Sequence, residues 1–502
     1  MNLAITLSRA QHGISAPLVR VEVHISSGLP TLSIVGLPTT AVRESKDRVR
    51  SAIQNSHFEY PPGRITINLS PADLPKDGGR FDLPIAIGIL AASGQVPTKG
   101  LEKIEFVGEL ALTGEIRDVV GTFSAALHAT QSGHTIFVPP TNAAEAALAP
   151  GATVLTAPNL LQISAHLHGN DILPPTAPTL DLPDPCFPDF SDIRGQLAAK
   201  RALEVAAAGN HNILMIGPPG TGKSMMAARV PGILPPPEPH ETLEILAIHS
   251  ACTQRAPISA RTQRPFRNPH HSASAASMVG GGSNPRPGEI SMAHGGVLFL
   301  DEIAEFPRAV LEGLRGPLES GEVIISRVHN RVSFPARFQL IAAMNPCPCG
   351  YDGDHQHRCR CTPDQIHRYR DKLSGPLLDR IDIQIQVPRI SASVLADLAP
   401  PSEGTLEVAS RVALARNIQL GRAGKPNAIL TSTELERDCQ LTPAQRGALL
   451  KAIDKLGLSA RAYHRLLKVA RSIADLDNRK DIEDIHINEA LGYRTCGIHA
   501  RA

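Results

Sequence analysis

Gly217-Pro-Pro-Gly-Thr-Gly-Lys-Ser224 stands between an apolar run, Ile213-Leu-Met-Ile216, and a helix-forming segment, Met225-Met-Ala-Ala-Arg-Val230. The pattern G-x-x-x-x-G-K-[ST] between a strand and a helix is a phosphate-binding loop. Gly217, Pro218, Pro219, Gly220, Thr221 and Gly222 shape a backbone whose N–H groups wrap phosphate, and the helix N-terminus adds positive dipole. Lys223 is expected to reach the β- and γ-phosphates of ATP, and Ser224 to bind Mg²⁺. These residues predict a parallel α/β sheet with a nucleotide at the tip of one strand.

Working outward, Val297-Leu-Phe-Leu-Asp-Glu302 is a second buried strand that ends in two carboxylates. Asp301 is expected to hold Mg²⁺, directly or through water, and Glu302 to orient and deprotonate the attacking water. Gln339-Leu-Ile-Ala-Ala343 reads as a third strand, followed by Asn345. A polar residue there can position the water beside the γ-phosphate, or be a turn residue before Pro346. Arg380 precedes a fourth strand, at 382–387, and reads either as an arginine presented in trans at a subunit edge or as a solvated surface residue. From about 391 the chain turns helical, over 404–419, 443–456 and 460–476. Arg461, Arg465, Lys468 and Arg471 share one face of the last helix, with Leu466, Val469, Ile473 and Leu476 opposite. A solvated basic face is the default for this stripe, with Arg461 the best candidate to touch nucleotide.

At 502 residues the chain allows two to four domains, and 42% apolar residues suffice for ordinary cores. Lys plus Arg is 50 and Asp plus Glu is 48, a net charge of +2, which excludes a globally basic nucleic-acid coat protein and an acidic tail protein. No apolar run is long enough for a membrane span. The start lacks the basic and apolar regions of a secretory signal, so a cytoplasmic location and no membrane partner are expected. Prolines cluster at 172–190, a stiff linker. The expected organisation is an N-terminal α+β domain at 1–170, a linker at 171–190, the ATPase at 191–390 and a helical lid at 391–502.

These features resemble the AAA+ ATPases. Asp192-Ile-Arg-Gly-Gln196 and Gly209-Asn-His-Asn212 fit the region that holds adenine in that superfamily. Lys223 and Asp301 lie 78 residues apart, a long interval. Its surplus, at about 250–296, looks like the helix-2 insertion of the branch that contains magnesium chelatases and MCM helicases. The run 321–334, with a turn at His329-Asn330, looks like the hairpin before sensor 1 in that branch. The strings at 266–282, 285–302, 345–351 and 459–476 resemble the YifB/ComM family of magnesium-chelatase-like proteins over essentially the whole chain. The resemblance makes Asn345 sensor 1, Arg380 the arginine finger supplied in trans and Arg461 sensor 2. It implies a homohexameric ATPase acting on single-stranded and branched DNA. ComM-like members are branch-migration helicases that integrate incoming strands in natural transformation and homologous recombination, so recombination proteins are expected partners.

Residues 1–170 resemble the Lon protease domain and its ribosomal-S5-like fold. Where Lon-type sites read Pro-Lys-Asp-Gly-Pro-Ser, this chain has Pro75-Lys-Asp-Gly78 followed by Gly79 and Arg80. Phe123 occupies the lysine position. A Ser/Lys dyad needs a hydroxyl and a neutral amine, so no peptidase activity is expected.

Cys347, Cys349, Cys359 and Cys361 fall within 15 residues. A tight cysteine cluster in a cytosolic chain reads as metal before disulfide, and four thiolates suit a tetrahedral structural Zn²⁺. His355 and His357 are spare ligands. Backbone contacts to DNA are expected from Arg327, His329 and Arg331 on the hairpin, and from Arg261, Arg264, Arg267, His270 and His271 in the insertion. With no tryptophan and 5 tyrosines, charge should outweigh stacking. A magnesium-chelatase-like or protein-remodelling ATPase, or a non-motor scaffold, are the competing readings.

Overall fold

A computed structural model describes residues 2–37, 39–178, 187–252, 263–282, 285–327, 330–354, 359–389 and 403–495. Two sheets organise the chain. The first contains β1 (Leu3–Arg9), β2 (Leu18–Ser26), β3 (Thr31–Val35), β4 (Arg64–Ser70) and β5 (Ile104–Phe106). A short ribbon, β6 (Glu109–Leu110) and β7 (Ile116–Arg117), follows, and β8 (Thr135–Val138) and β9 (Val154–Thr156) complete the sheet in the order β3-β4-β2-β1-β5-β8-β9. Alternation in β2 and β4 turns Val19, Val21, Val23, Ile65, Ile67 and Leu69 inward. The Asp82–Ala92 helix is buried along its whole length against β1 and β2. It approaches so closely that a Cβ on Gly88 would stand 2.6 Å from Val23 Cγ2.

The second sheet is the α/β unit that the phosphate loop predicts. It contains β10 (Ile213–Ile216), β11 (Phe266–Arg267), β14 (Val297–Leu300), β17 (Gln339–Met344) and β18 (Ile383–Gln386), with a small ribbon, β12 (Gly280–Gly281) and β13 (Arg286–Pro287), and a hairpin, β15 (Glu322–Arg327) and β16 (Asn330–Pro335), off the sheet. The order is β11-β14-β17-β10-β18 and every pairing is parallel. Both neighbours of β10 come later in the chain, so its C-terminal end opens a crevice where ligands bind in such sheets. Phe266–Arg267, inside the stretch expected to be insertion, instead forms the edge strand, pairing with Val297 and Leu298.

The helical end comprises Thr405–Ala423, Ser432–Asp438, Pro443–Leu456, Ala460–Leu476 and Asp484–Thr495. Local chemistry sets its boundaries: Thr442 and Gln445 form a capping box with Pro443 at the first position, and Gly457 ends that helix at φ +63°. These helices share one continuous core with the sheet, since Val412, Leu466 and Ile473 pack with Ile213, Ile341 and Ile383. Buried Arg416 reinforces the junction by donating to the carbonyls of Ala207 and Ala208.

The linker stretch 179–186 lies outside the described residues, yet the flanking units touch directly. The Pro239–Ser250 helix of the ATPase buries Leu246 and Ala247 among Phe123, Ala126 and Ala146. Ser250 O accepts from Gly121 N at 2.7 Å, and Ser250 Oγ accepts from Phe123 N. The hairpin touches the same unit, because a Cβ on Gly13 would stand 2.8 Å from Val332 Cγ1.

Candidate nucleotide site

Parallel strands put their C-terminal tips together, and the candidate residues follow those tips. The loop after β10 turns through Gly220 (φ +78°) and Gly222 (φ +85°), a conformation glycine adopts without strain. Gly217 has no room for a side chain, since a Cβ there would meet Val387 O at 2.2 Å. Lys223 opens the following helix and is folded back, its Nζ donating to Gly217 O (2.7 Å), Pro218 O (2.9 Å) and Asn345 Oδ1 (3.3 Å). Burial lowers its pKa to about 8 against the opposing pull of Asp301 and Glu302. Ser224 Oγ donates to Asp301 Oδ2 at 2.5 Å. Glu302 follows in the left-handed region at φ +50°, and its N–H donates to Asp301 Oδ1 at 3.0 Å.

Two adjoining cavities form one cleft. The first, about 390 Å³, takes the loop, Lys223, Ser224, Asp301, Glu302 and Asn345. The second, about 520 Å³, shares the loop and adds Asp192, Ile193, Arg194, Gln196 and Arg389. The cleft therefore joins a cationic, hydroxyl- and carboxylate-lined end to a less polar end, the pattern a nucleoside triphosphate with Mg²⁺ requires. Ser224 and Asp301, already in contact, have the donor chemistry for Mg²⁺. Of the two segments expected near adenine, Asp192–Gln196 lines the less polar end of the cleft, but Gly209–Asn212 does not line it. That segment precedes β10, at the end of the strand opposite the loop, where His211 bonds Ser472 Oγ at 2.7 Å and Asn212 Oδ1 accepts from Leu340 N.

Arg380 precedes β18 and so also lies at the far end of the parallel sheet, away from this chain's own loop. It shares a cavity of about 170 Å³ with Arg461, Arg465, His464 and Lys468. Neither Arg380 nor Arg461 lines the cleft of its own chain. The basic stripe beyond Arg461 is not the solvated face its spacing suggests. Arg465 Nη1 donates to Asp382 Oδ1 at 2.5 Å and to Arg380 O at 3.1 Å. Lys468 donates to Ala428 O. Arg471, 2% exposed, binds Asp475 and the carbonyls of Arg479 and Lys480. Asp382 was missed in the sequence, although it stands two positions after Arg380. Burial opposes its charge, but Arg465, His211 and the Asn212 N–H hold its carboxyl well below the usual range.

The four cysteines converge. Cys347 Sγ lies 3.3 Å from Cys349 Sγ and 3.6 Å from Cys359 Sγ, Cys349 lies 3.5 Å from Cys359, and all four sulfurs fall within 4.8 Å of one another. A tetrahedron with zinc–sulfur bonds of about 2.3 Å has edges of about 3.8 Å, so the set fits Zn²⁺. Burial opposes the Cys349 thiolate, yet the N–H groups of Arg360 and Tyr351 bring it down to about 6. The Cys361 N–H favours the Cys359 thiolate, but burial and the adjacent thiols push Cys359 up to about 12. Sulfurs so crowded cannot all ionise without a cation between them. His355 and His357 lie outside the described residues.

Of the DNA candidates, His329 and Arg261 lie outside the described residues, as does the side chain of Arg327. Arg331 is exposed on β16. Arg267 is spent on a two-pronged pair with Glu289 (2.7 and 2.8 Å), and Arg264 on Glu241 and the carbonyls of Pro235, Pro236 and Gly295. The His270 and His271 rings lie with centres 4.1 Å apart, tilted by 34°, and His271 Nδ1 is 3.8 Å from Glu302 Oε2, beside the cleft. In the N-terminal unit Arg80 is buried, donating to the carbonyls of Val120 and Arg9, and burial lowers its pKa to about 10. Phe123 is a core residue with no exposure.

Residues 189–395 match the model for magnesium chelatase, subunit ChlI. Residues 21–142 match that for subunit ChlI of Mg-chelatase, and 402–494 that for its C-terminal part. The chain is 51% identical over 500 residues to the competence protein ComM of Haemophilus influenzae, covering 98% of each. It is 50% identical over 495 residues to the uncharacterized protein YifB of Escherichia coli, covering 98% of this chain and 97% of that one. Lon protease 2 of Bacillus subtilis is 28% identical over 185 residues, 32% of this chain and 33% of that protein. Among the described residues no helix is long and apolar enough to cross a membrane. With a phosphate-loop cleft at the tips of a parallel sheet and half of its residues identical to ComM and to YifB over 98% of its length, the chain belongs to the YifB/ComM family of magnesium-chelatase-like AAA+ ATPases.

Proposed function

We propose that the chain is one subunit of a homohexameric ATPase that moves single-stranded and branched DNA, resembling a branch-migration helicase. The observation that carries this reading is the division of its charged groups. Lys223, Ser224, Asp301, Glu302 and Asn345 share one cleft, while Arg380 and Arg461 share a cavity at the opposite end of the sheet. That division supports a site completed between neighbouring subunits, with the cleft of one chain receiving the arginines of the next.

In this reading Lys223 and the loop N–H groups bind the phosphates. Ser224 and Asp301 would hold Mg²⁺, which would supply charge neutralisation on the phosphate oxygens. Glu302 takes a proton from the attacking water, and Asn345 orients that water. Arg380 and Arg461 are delivered to the nucleotide of the adjacent subunit, where positive charge stabilises the transferring phosphoryl group. Cys347, Cys349, Cys359 and Cys361 would hold a structural Zn²⁺ just after Asn345, which would brace the loop beside the cleft. Arg80 and Phe123 leave the N-terminal unit without a peptidase dyad, so it serves as a scaffold packed on the Pro239–Ser250 helix.

Hydrolysis of ATP by the purified protein, with and without single-stranded and four-way-junction DNA, tests the reading. DNA should stimulate turnover, and Glu302→Gln should bind ATP but hydrolyse it at least about a hundredfold more slowly. Robust turnover that ignores DNA would redirect the reading to protein remodelling or a chelatase-like role. Normal hydrolysis by Glu302→Gln would remove Glu302 as the base.

A further inference from the structure

The cavity holding Arg380 and Arg461 already contains an anion of its own. Arg380 is 8% exposed and fixed on several sides. Its carbonyl accepts from Asn212 Nδ2 at 3.0 Å and from Arg465 Nη1, and its Nη1 donates to Pro376 O at 2.8 Å. Its Nε is buried with no partner among the described residues. The remaining nitrogen, Nη2, donates to the carboxylate of Glu319.

The two partners are unequal. The Arg380 side chain is 10% exposed and anchored, whereas that of Glu319 is 64% exposed and reaches in from solvent. Glu319 sits on the Pro317–Ser320 turn, directly before β15, and the Arg380 guanidinium, helped by Arg461 and Arg465, keeps its carboxyl below the usual range. Arg465 and Lys468 are already committed to the buried Asp382 and to Ala428 O, so the cavity's positive charge not tied to a buried partner belongs to Arg461 and to Arg380, whose anionic partner is the exposed Glu319. Carboxylate and phosphate oxygens make the same charge-assisted bonds to a guanidinium, and a terminal phosphate carries the larger charge.

We propose that Glu319 is an exchangeable counter-ion for Arg380: its carboxylate occupies the cavity in the lone chain, and the terminal phosphate of a nucleotide bound by a second copy displaces it. The proposal rests on the reading of Arg380 as the arginine supplied to a neighbour. Every subunit joining a ring must give up its Glu319–Arg380 bond, which raises the protein concentration needed for turnover. Because Glu319 is at the root of the β15–β16 hairpin, the exchange also ties that hairpin to the nucleotide of the next subunit.

The test is ATP turnover per chain as a function of protein concentration, for wild type, Glu319→Gln, Glu319→Asp and Arg380→Ala. The exposed carboxylate makes Glu319→Gln safe for folding. Its half-maximal protein concentration should fall about three- to tenfold, as expected when a charge-assisted bond no longer competes, and Glu319→Asp should restore the wild-type midpoint. A Glu319→Gln midpoint that is unchanged or higher, with Arg380→Ala inactive, would overturn the exchange and leave the trans arginine standing. Normal turnover by Arg380→Ala, or wild-type turnover independent of concentration, would reject the trans reading and the exchange with it.

Discussion

Replacing Asp382 with alanine should destabilise the ATPase unit by about 3 kcal/mol, the low end for removing one partner of a buried ion pair. The low end applies because Asp382 is 3% exposed at its side chain but Arg465 keeps 25%. The change deletes the carboxylate partner of Arg465 and the acceptor for the half-buried Asn212 N–H at 2.9 Å. In a unit of this size each kcal/mol moves the midpoint by about 2–4 °C, so the thermal transition should drop by about 6–12 °C. Calorimetry of Asp382→Ala, Arg465→Ala and the double variant reads the pair directly. The double variant should be more stable than the sum of the single costs by about 2 kcal/mol, because no unpaired ion remains. Additivity within about 0.5 kcal/mol would refute the coupling. The pH dependence carries a sign. The folded-state pKa of Asp382 is lowered, so its stabilisation is complete above the unfolded value of about 3.9 and is lost as pH falls through the folded one. The gap between wild type and Asp382→Ala should hold from pH 5 to 8, taken as about the working range, and shrink only below about pH 4.

Other expectations follow from single contacts. Gly217→Ala must move Val387 O by about 1 Å to reach ordinary contact. Labelled ADP should therefore bind at least about tenfold more weakly to a protein of native secondary structure; unchanged affinity would contradict the packing. Serine at Cys347 and Cys359 together should release about one zinc per chain and lower the unfolding temperature. Anaerobically purified wild type without zinc, by elemental analysis, would reject the site. Arg80→Ser places a hydroxyl at the Lon-like position but strips donors from the carbonyls of Arg9 and Val120, so it should cost about 2–3 kcal/mol and cleave no casein. Peptidase activity in that variant would overturn the scaffold reading.

The cleft was legible in the sequence because each of its parts is contiguous. A strand, its tip and the polar residue beyond it are neighbours in the chain, and a parallel sheet aligns tips by construction. Ile213–Ile216 and Val297–Leu300 form strands over the runs that their apolar character marks, and the cysteine cluster was visible because it closes a short loop. The tertiary structure alone decided the pairings between charges. Among 50 basic and 48 acidic residues no local rule selects Glu319 for Arg380, 61 positions apart, or Asp382 for Arg465, 83 apart. The same holds for the edge strand Phe266–Arg267, too short to show a period, and for Ser250 against Phe123, 127 positions apart. Periodicity predicts that a helix face is polar, but whether that face meets water or a buried carboxylate depends on what the fold brings opposite it. That is why the stripe from Arg465 to Arg471 reads as solvated surface in one dimension, while in three Arg465 ties the helical end to Asp382 beside the sheet and Lys468 and Arg471 brace the helical end internally.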